Sequence, residues 1–283
     1  IIYPRAVCKR NSRFQLLFTN FFHHLSYSLV FFVHLLRKIE AEVMILKRRS
    51  ALLLLFLLTF LALCFSCAKD GQAVAVSAAS QPRRCIALTF DDGPSGRFTR
   101  ALLDGLAERN VKATFFLCGY RIRQYPELAQ RIAEEGHEIG CHGFSHDSMA
   151  TMSRRDIYEE IQSTLALLPE GSRVKLLRPP GGCCSESVAQ VAQALKMPIV
   201  QWSVDPKDWA VHDAAIVKAR VLQQARDGDI ILMHDMSSSS VSAALAIIDT
   251  LTARGFQFAT VSELAAKKQV QLSPGKVYTD FGE

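Results

Sequence analysis

The stretch Cys85-Ile86-Ala87-Leu88-Thr89-Phe90-Asp91-Asp92-Gly93-Pro94 decides how this chain is read. Cys85 to Phe90 is a short apolar run with β-branched and aromatic members, the mark of a buried strand. It ends on two adjacent carboxylates and then a Gly-Pro turn. Successive side chains on a strand point in opposite directions, so Asp91 and Asp92 need not share a task. One can hold a cation while the other handles a proton. Taken alone, the four residues also fit a solvated turn, and the rest of the chain has to choose between the two readings.

Downstream of residue 85, short apolar runs alternate with longer amphipathic ones. Strands are expected at 85–90, 113–118, 138–141, 174–178, 198–203, 229–233 and 257–260. Helices are expected near 97–109, 125–135, 153–168, 185–195, 213–226, 240–253 and 261–268. Pro126, Ser153 and Asp213 suit helix starts, and Gly136 and Gly255 suit helix ends. Repeated strand–helix units imply an α/β fold with a parallel sheet. Polar residues follow the ends of five different strand candidates: Asp91-Asp92, His142 with His146, Arg178, Asp205 with Asp208, and His234. Functional groups gathered from many strand ends point to a (β/α) barrel, because a doubly wound sheet gathers its site at one switch point. With about seven parallel strands visible, the barrel is expected to be irregular.

His142-Gly-Phe-Ser-His146 spaces two imidazoles four residues apart, which puts both on one face if the segment turns helically. With Asp92 they make two nitrogens and one carboxylate. Three protein ligands and an open position are the pattern of catalytic zinc. Arg178 precedes Pro179-Pro180-Gly181-Gly182, a backbone stiffened by proline and opened by glycine, and its guanidinium suits a carboxylate. His234 ends the apolar strand Ile230-Ile231-Leu232-Met233 and is a candidate general acid.

The 283 residues are ample for one large core. Residues 1–84 carry 12 Lys/Arg against 3 Asp/Glu, and residues 85–283 carry 21 against 24. The basic charge therefore sits ahead of the folded body, which has no nucleic-acid footprint. Met44, Lys47-Arg48-Arg49, the apolar run Ala51–Phe65 and the small residues to Ser80 follow the order of a secretory signal. Cleavage after Ala75 or Ala78, lipidation at Cys67 and retention as an anchor all stay open. Residues 1–43 are read as an over-extended gene start, 44–84 as signal or anchor plus linker, 85–268 as the catalytic domain and 269–283 as a C-terminal tail. Of eight cysteines, Cys85, Cys118, Cys141, Cys183 and Cys184 fall in the body without C-x-x-C spacing, and no disulfide framework is expected.

The set of motifs resembles the polysaccharide deacetylases of carbohydrate esterase family four, the NodB-homology domain. Thr89-Phe90-Asp91-Asp92, His142-x-x-x-His146, Arg178-Pro-Pro, Asp205-x-x-Asp208-Trp209 and Leu232-x-His234 occur in the family's order over residues 85–268. The resemblance implies a distorted (β/α) barrel and hydrolysis of N-acetyl groups. It implies that Asp91 is the general base and that Asp92, His142 and His146 are the metal ligands. His234 would be the general acid, Arg178 would orient the base, and Asp208 would tune the acid. Trp209 and Leu232 would line the acetyl pocket, and a backbone N–H near Gly181 would face the oxyanion. The implied cofactor is a divalent metal, zinc first, with cobalt or another divalent ion as alternatives.

Many relatives have Tyr where this chain has Gly181, which removes one substrate-contacting side chain. The expected substrate is an N-acetylglucosamine polysaccharide, cell-wall peptidoglycan first, with chitin oligomers or acetylxylan as alternatives. The expected setting is extracellular or the outer face of the cytoplasmic membrane, with membrane contact only through the N-terminal segment and a monomeric domain. A non-catalytic glycan-binding protein on the same fold would be expected to lack the base, a ligand or the acid.

Overall fold

A computed structural model describes residues 84–282 apart from Arg173 and, before them, only Arg37, Lys38, Glu40, Met44 and Arg48. The fold is carried by the unit that begins at residue 80. The signal, anchor and gene-start readings fall outside the described residues. Among the described residues no helix is long and apolar enough to cross a membrane.

The domain begins with β1 (Cys85–Asp91), α1 (Gly96–Glu108), β2 (Thr114–Leu117), α2 (Gly119–Gln124), α3 (Pro126–Glu134) and β3 (Glu138–Cys141). It continues with α4 (Arg154–Leu165), α5 (Glu186–Ala194), β4 (Ile199–Val200), α6 (Ala214–Gln224) and β5 (Ile230–His234). It closes with α7 (Ser238–Ala253), β6 (Gln257–Ala259), α8 (Val261–Lys267) and β7 (Val277–Tyr278). All seven residues of β1 are buried, as expected of a parallel strand covered on both faces. It is the axis of the sheet: Thr89–Asp91 pair with β2, Ala87–Asp91 with β5, and Cys85–Ala87 with β6. β2 pairs with β3. Parallel bridges Cys141↔Leu177, Leu177↔Ile199 and Val204↔Ile231 carry the ring from β3 past β4 back to β5. The result is the distorted, seven-stranded parallel barrel.

Alternation along the strands separates two environments. Leu88, Phe90, Phe115, Ile231 and Met233 pack outward against Leu102, Leu103, Leu106 and Ile247 of the flanking helices. Thr89 and Leu232 pair directly, as do Asp91 and His234. These positions therefore line the other face, toward the interior and mouth. The anticipated helix signals act as caps. The Ser153 side chain accepts from the Asp156 N–H, and Asp213 accepts from Ala215 and Ile216. Pro126 opens α3, and Gly136 and Gly255 take left-handed backbone after their helices (φ 76° and 84°).

Three expectations change. Residues 174–178 do not form a strand and contribute only Leu177, bridged to Cys141 on one side and Ile199 on the other. Pro179 and Pro180 follow at once and have no N–H to extend the ladder. Residues 198–203 shorten to Ile199–Val200. Residues 269–283 are not a tail but part of the barrel wall. Within them β7 pairs with β4, and Tyr278 and Phe281 are buried in a cluster with Ala87, Phe116, Val200 and Ile230. This segment has too little apolar periodicity to announce itself, and its place depends on a groove made by distant residues.

Phe281 is 5% exposed, so Phe281→Ala is expected to lower stability by about 3 kcal/mol. The midpoint of urea unfolding reads this, and an unchanged midpoint would return 269–283 to the status of a tail.

Candidate active site

β1 delivers Asp91 and Asp92 to the barrel mouth by ending there. Asp91 stays in the strand, 3% exposed, and its Oδ1 accepts from Arg178 Nη1 at 2.7 Å. Asp92 leaves the strand through left-handed backbone (φ 69°), which turns its carboxylate away from its neighbour's. The histidines arrive from the loop after β3. His142 Nε2 lies 3.3 Å and His146 Nε2 2.9 Å from Asp92 Oδ1. The three ligand atoms all fall within 4.8 Å of one another. Glu160 of α4 holds the loop in this shape by accepting the N–H groups of Phe144 at 2.7 Å and Ser145 at 2.8 Å.

The donor chemistry fits a divalent cation. His142 Nδ1 sits 2.7 Å from the Arg178 carbonyl oxygen, which can only accept, so the ring proton is on Nδ1 and Nε2 presents a lone pair. That lone pair faces a carboxylate oxygen, Asp92 Oδ1, which is buried and accepts no well-aligned hydrogen bond. Electron pairs converging without a donor need a positive centre between them. Burial works against the Asp92 charge, but His142 and His146 outweigh it and hold the carboxyl well below the usual range. Asp92 in turn raises the pKa of His146 by its proximity and charge, against some burial.

Across the mouth, β5 ends on His234. Asp208, fully buried, takes the His234 backbone N–H at 2.8 Å on Oδ2, and its Oδ1 lies 2.8 Å from Nδ1 of the ring. One carboxylate thus fixes both main chain and imidazole, leaving Nε2 free for chemistry. Burial opposes charging this ring. The Asp208 hydrogen bond and charge, with Asp91 and Asp92 behind them, outweigh burial and lift the pKa from 6.5 to about 9. The sign is that of a raised base: the imidazolium's stabilisation is complete below pH 6.5 and is lost as pH rises through about 9.

Seven of the ten expected site residues thus fall at or beside the mouth. Leu232 is 4% exposed and pairs with Thr89 on the interior face. Gly181 lies in an exposed turn at Pro180–Gly182 with left-handed backbone (φ 64°). Trp209 is 60% exposed and forms no closed wall. Asp205, given no role, accepts the Lys207 N–H in a local turn.

Sequence reasoning missed Glu160, whose only signal is a carboxylate on a helix. It also missed Thr89, which shares Arg178 Nη1 with Asp91, and Asp235. Asp235 is fully buried directly after His234. Its Oδ2 accepts from the Thr99 hydroxyl and its carbonyl from the Ser95 hydroxyl. Burial pushes its pKa up to about 6. A Cβ on Gly93 would come within 2.7 Å of its Oδ1, so the Asp-Gly-Pro turn needs glycine to lie against this carboxyl.

A two-histidine, one-aspartate cluster flanked by a carboxylate paired with Arg178 and an imidazole paired with Asp208, at the strand ends of a parallel barrel, has the donor set found in metal-dependent hydrolases. The chain belongs to the polysaccharide deacetylase family, whose model matches residues 78–200. It is 40% identical over 197 residues to the peptidoglycan-N-acetylglucosamine deacetylase PgdA of Listeria monocytogenes, covering 69% of this chain and 41% of that one. The chain thus spans well under half of that relative's length. It is 36% identical over 191 residues to a peptidoglycan-N-acetylglucosamine deacetylase of Bacillus cereus, covering 65% of this chain and 90% of that one. Among solved structures, a family 4 acetyl xylan esterase from Clostridium thermocellum in complex with cobalt superposes with a TM-score of 0.65. It is 34% identical, with 70% of this chain and 98% of that one covered.

Two outcomes follow from the geometry. Asp92→Asn or His142→Ala is expected to lower affinity for zinc at least about tenfold, whereas Asp91→Asn keeps it; calorimetric titration with Zn2+ distinguishes them. The NMR titration midpoint of His234 is expected near 9 in the metal-free protein and lower in Asp208→Asn; an unmoved midpoint would break the pairing.

Proposed function

We propose that this domain is a divalent-metal-dependent N-deacetylase of N-acetylglucosamine-containing polysaccharide, with peptidoglycan as the substrate. The observation that carries this reading is completeness. The base Asp91 with its Arg178 anchor, the three ligands and the acid His234 with its Asp208 partner stand together, and none is replaced. A glycan-binding protein without catalysis has no need of a buried, charge-paired carboxylate facing a charge-paired imidazole.

When bound at Asp92, His142 and His146, zinc or another divalent ion supplies a Lewis acid and lowers the pKa of water. The chain's own residues do the rest. Asp91, held in one rotamer by Arg178, takes a proton from the attacking water. His234 carries a proton on the opposite side, near neutrality, because of Asp208. It gives that proton to the departing amine of the sugar. The Gly181 turn brings main chain to the mouth, where an N–H can face the developing oxyanion. Leu232 offers an apolar surface to the acetyl methyl. The products are acetate and a free amino sugar.

Peptidoglycan is favoured because relatives named for it match most of the domain, and because the apolar, basic-led stretch from Met44 reads as an export signal. The site of action is accordingly the outside of the cytoplasmic membrane. Gly181 adds no side chain to its turn, which suits a bulky, branched polymer.

Acetate release from peptidoglycan, chitin oligomers and acetylxylan, with and without a chelator, tests the proposal. Release from peptidoglycan that stops with chelator and returns with Zn2+ is expected, and Asp91→Asn should lower kcat about a thousandfold. Preference for acetylxylan would overturn the substrate. No release from any of the three with metal restored would overturn the activity.

A further inference from the structure

The five described cysteines fall into two groups. Cys85, Cys118 and Cys141 are buried, at 3%, 0% and 0% exposure. Burial drives the Cys141 thiol up to about 12 and that of Cys118 upward as well, so these three are inert. Cys183 and Cys184 are adjacent, free and exposed. They directly follow the Pro180–Gly182 turn of the mouth. Cys183 Sγ lies 3.8 Å from the Gly181 carbonyl oxygen.

We propose that Cys183-Cys184 is a thiol-modification site, a dithiol that exchanges with low-molecular-weight disulfides and closes into a disulfide between neighbouring residues. One cysteine thiolate attacks a disulfide RSSR, whose S–S bond breaks and releases one RSH, leaving a mixed disulfide on the protein. The second cysteine thiolate attacks the protein sulfur of that mixed disulfide and releases the second RSH. Two cysteine thiols are oxidised, one RSSR is reduced to two RSH, and the two cysteine protons end on the leaving thiols. Burial raises the Cys184 thiol. The second step proceeds against that shift because its target is the adjacent residue and the reaction is intramolecular.

The closed pair is a labile one. Consecutive Cα atoms stand about 3.8 Å apart, shorter than the usual disulfide span of about 4.4–6.8 Å. The ring is therefore strained, and strained exposed disulfides are the readily reduced kind. The inference about location rests on the proposed export, which places the dithiol where disulfides persist.

Closure has a route to the chemistry. A Cβ on Gly182 would lie 2.8 Å from the Trp202 ring, so the turn is pressed on that indole. Gln201 Nε2 donates to the Gly182 carbonyl at 2.7 Å. The Gln201 carbonyl accepts from Arg178 Nη2 at 2.8 Å. Trp202 and Gln201 both reach the guanidinium that holds Asp91. Shifting residues 183–184 therefore moves the Gly181 turn and loosens the anchor of the base.

The test is peptide mapping by mass spectrometry of the folded, reduced full chain after exposure to oxidised glutathione. Each cysteine-bearing peptide is read separately. The peptide 176–196 is expected to lose two hydrogens and to regain them with dithiothreitol, while the peptides of Cys85, Cys118 and Cys141 stay unchanged. Cys183→Ser is expected to stop at a mixed disulfide on Cys184. No change in 176–196, or a glutathionyl group retained there in the wild type, would overturn the proposal. Acetate release is read on the same samples. Closure is expected to lower kcat by about tenfold, with no effect of glutathione disulfide on Cys183→Ser/Cys184→Ser. The mass result stands or falls independently of the deacetylase reading, because absence of acetate release before oxidation would count against that reading alone.

Discussion

Arg178 is the constraint on which the barrel depends. Its side chain is fully buried in the interior, where an unpaired charge would cost several kcal/mol. The fold answers with a partner for each direction of the guanidinium. Nε donates to the Val200 carbonyl at 3.0 Å, Nη1 to Thr89 and Asp91, and Nη2 to Gln201. The planar group also stacks over the Phe116 ring at 3.9 Å. Its own carbonyl fixes the His142 tautomer. One residue thereby ties β1, β2, the segment after β3 and the β4 strand to a common centre. The price in desolvation is met by hydrogen bonds that also orient Asp91 and His142.

Around that centre the site is assembled from strained backbone held by buried polar groups. Asp92 and His146 both take left-handed conformations (φ 69° and 68°), which cost about 1 kcal/mol or more for a residue with a Cβ. Glu160 offsets the strain on one side by binding two loop N–H groups. On the other side, Asp235 packs against Gly93 and binds Thr99 and Ser95. The two groups proposed to move protons are paired in opposite ways. Asp91 is matched to the permanent cation of Arg178. His234 is matched to the buried Asp208 carboxylate.

Much of this was legible in the residues. Asp91-Asp92, His142-x-x-x-His146, Arg178, Asp208 and His234 stand out because each follows an apolar run, and a parallel sheet sends all such ends to one face. Helix caps at Ser153 and Asp213 and the stops at Gly136 and Gly255 are local chemistry, and the structure places them as expected. The weak points were segments whose structure depends on partners far away. Leu177 is a bridge and not a strand because proline follows it. Val277 and Tyr278 are a strand only because β4 has an open edge beside a pocket for Tyr278 and Phe281. Trp209, expected against the acetyl group, stands mostly in solvent.

The sequence by itself determined the order of elements, the barrel class and the identity of the groups at its mouth, since these rest on periodicity and on the residue types that end each strand. Tertiary structure alone decided how those groups are partnered. Which carboxylate meets Arg178, which oxygen lies between two imidazole nitrogens, and which side chain of an unremarkable helix props the histidine loop are matters of distance. Distances between residues 15 to 87 positions apart are set by the closure of the ring, and no local pattern encodes them.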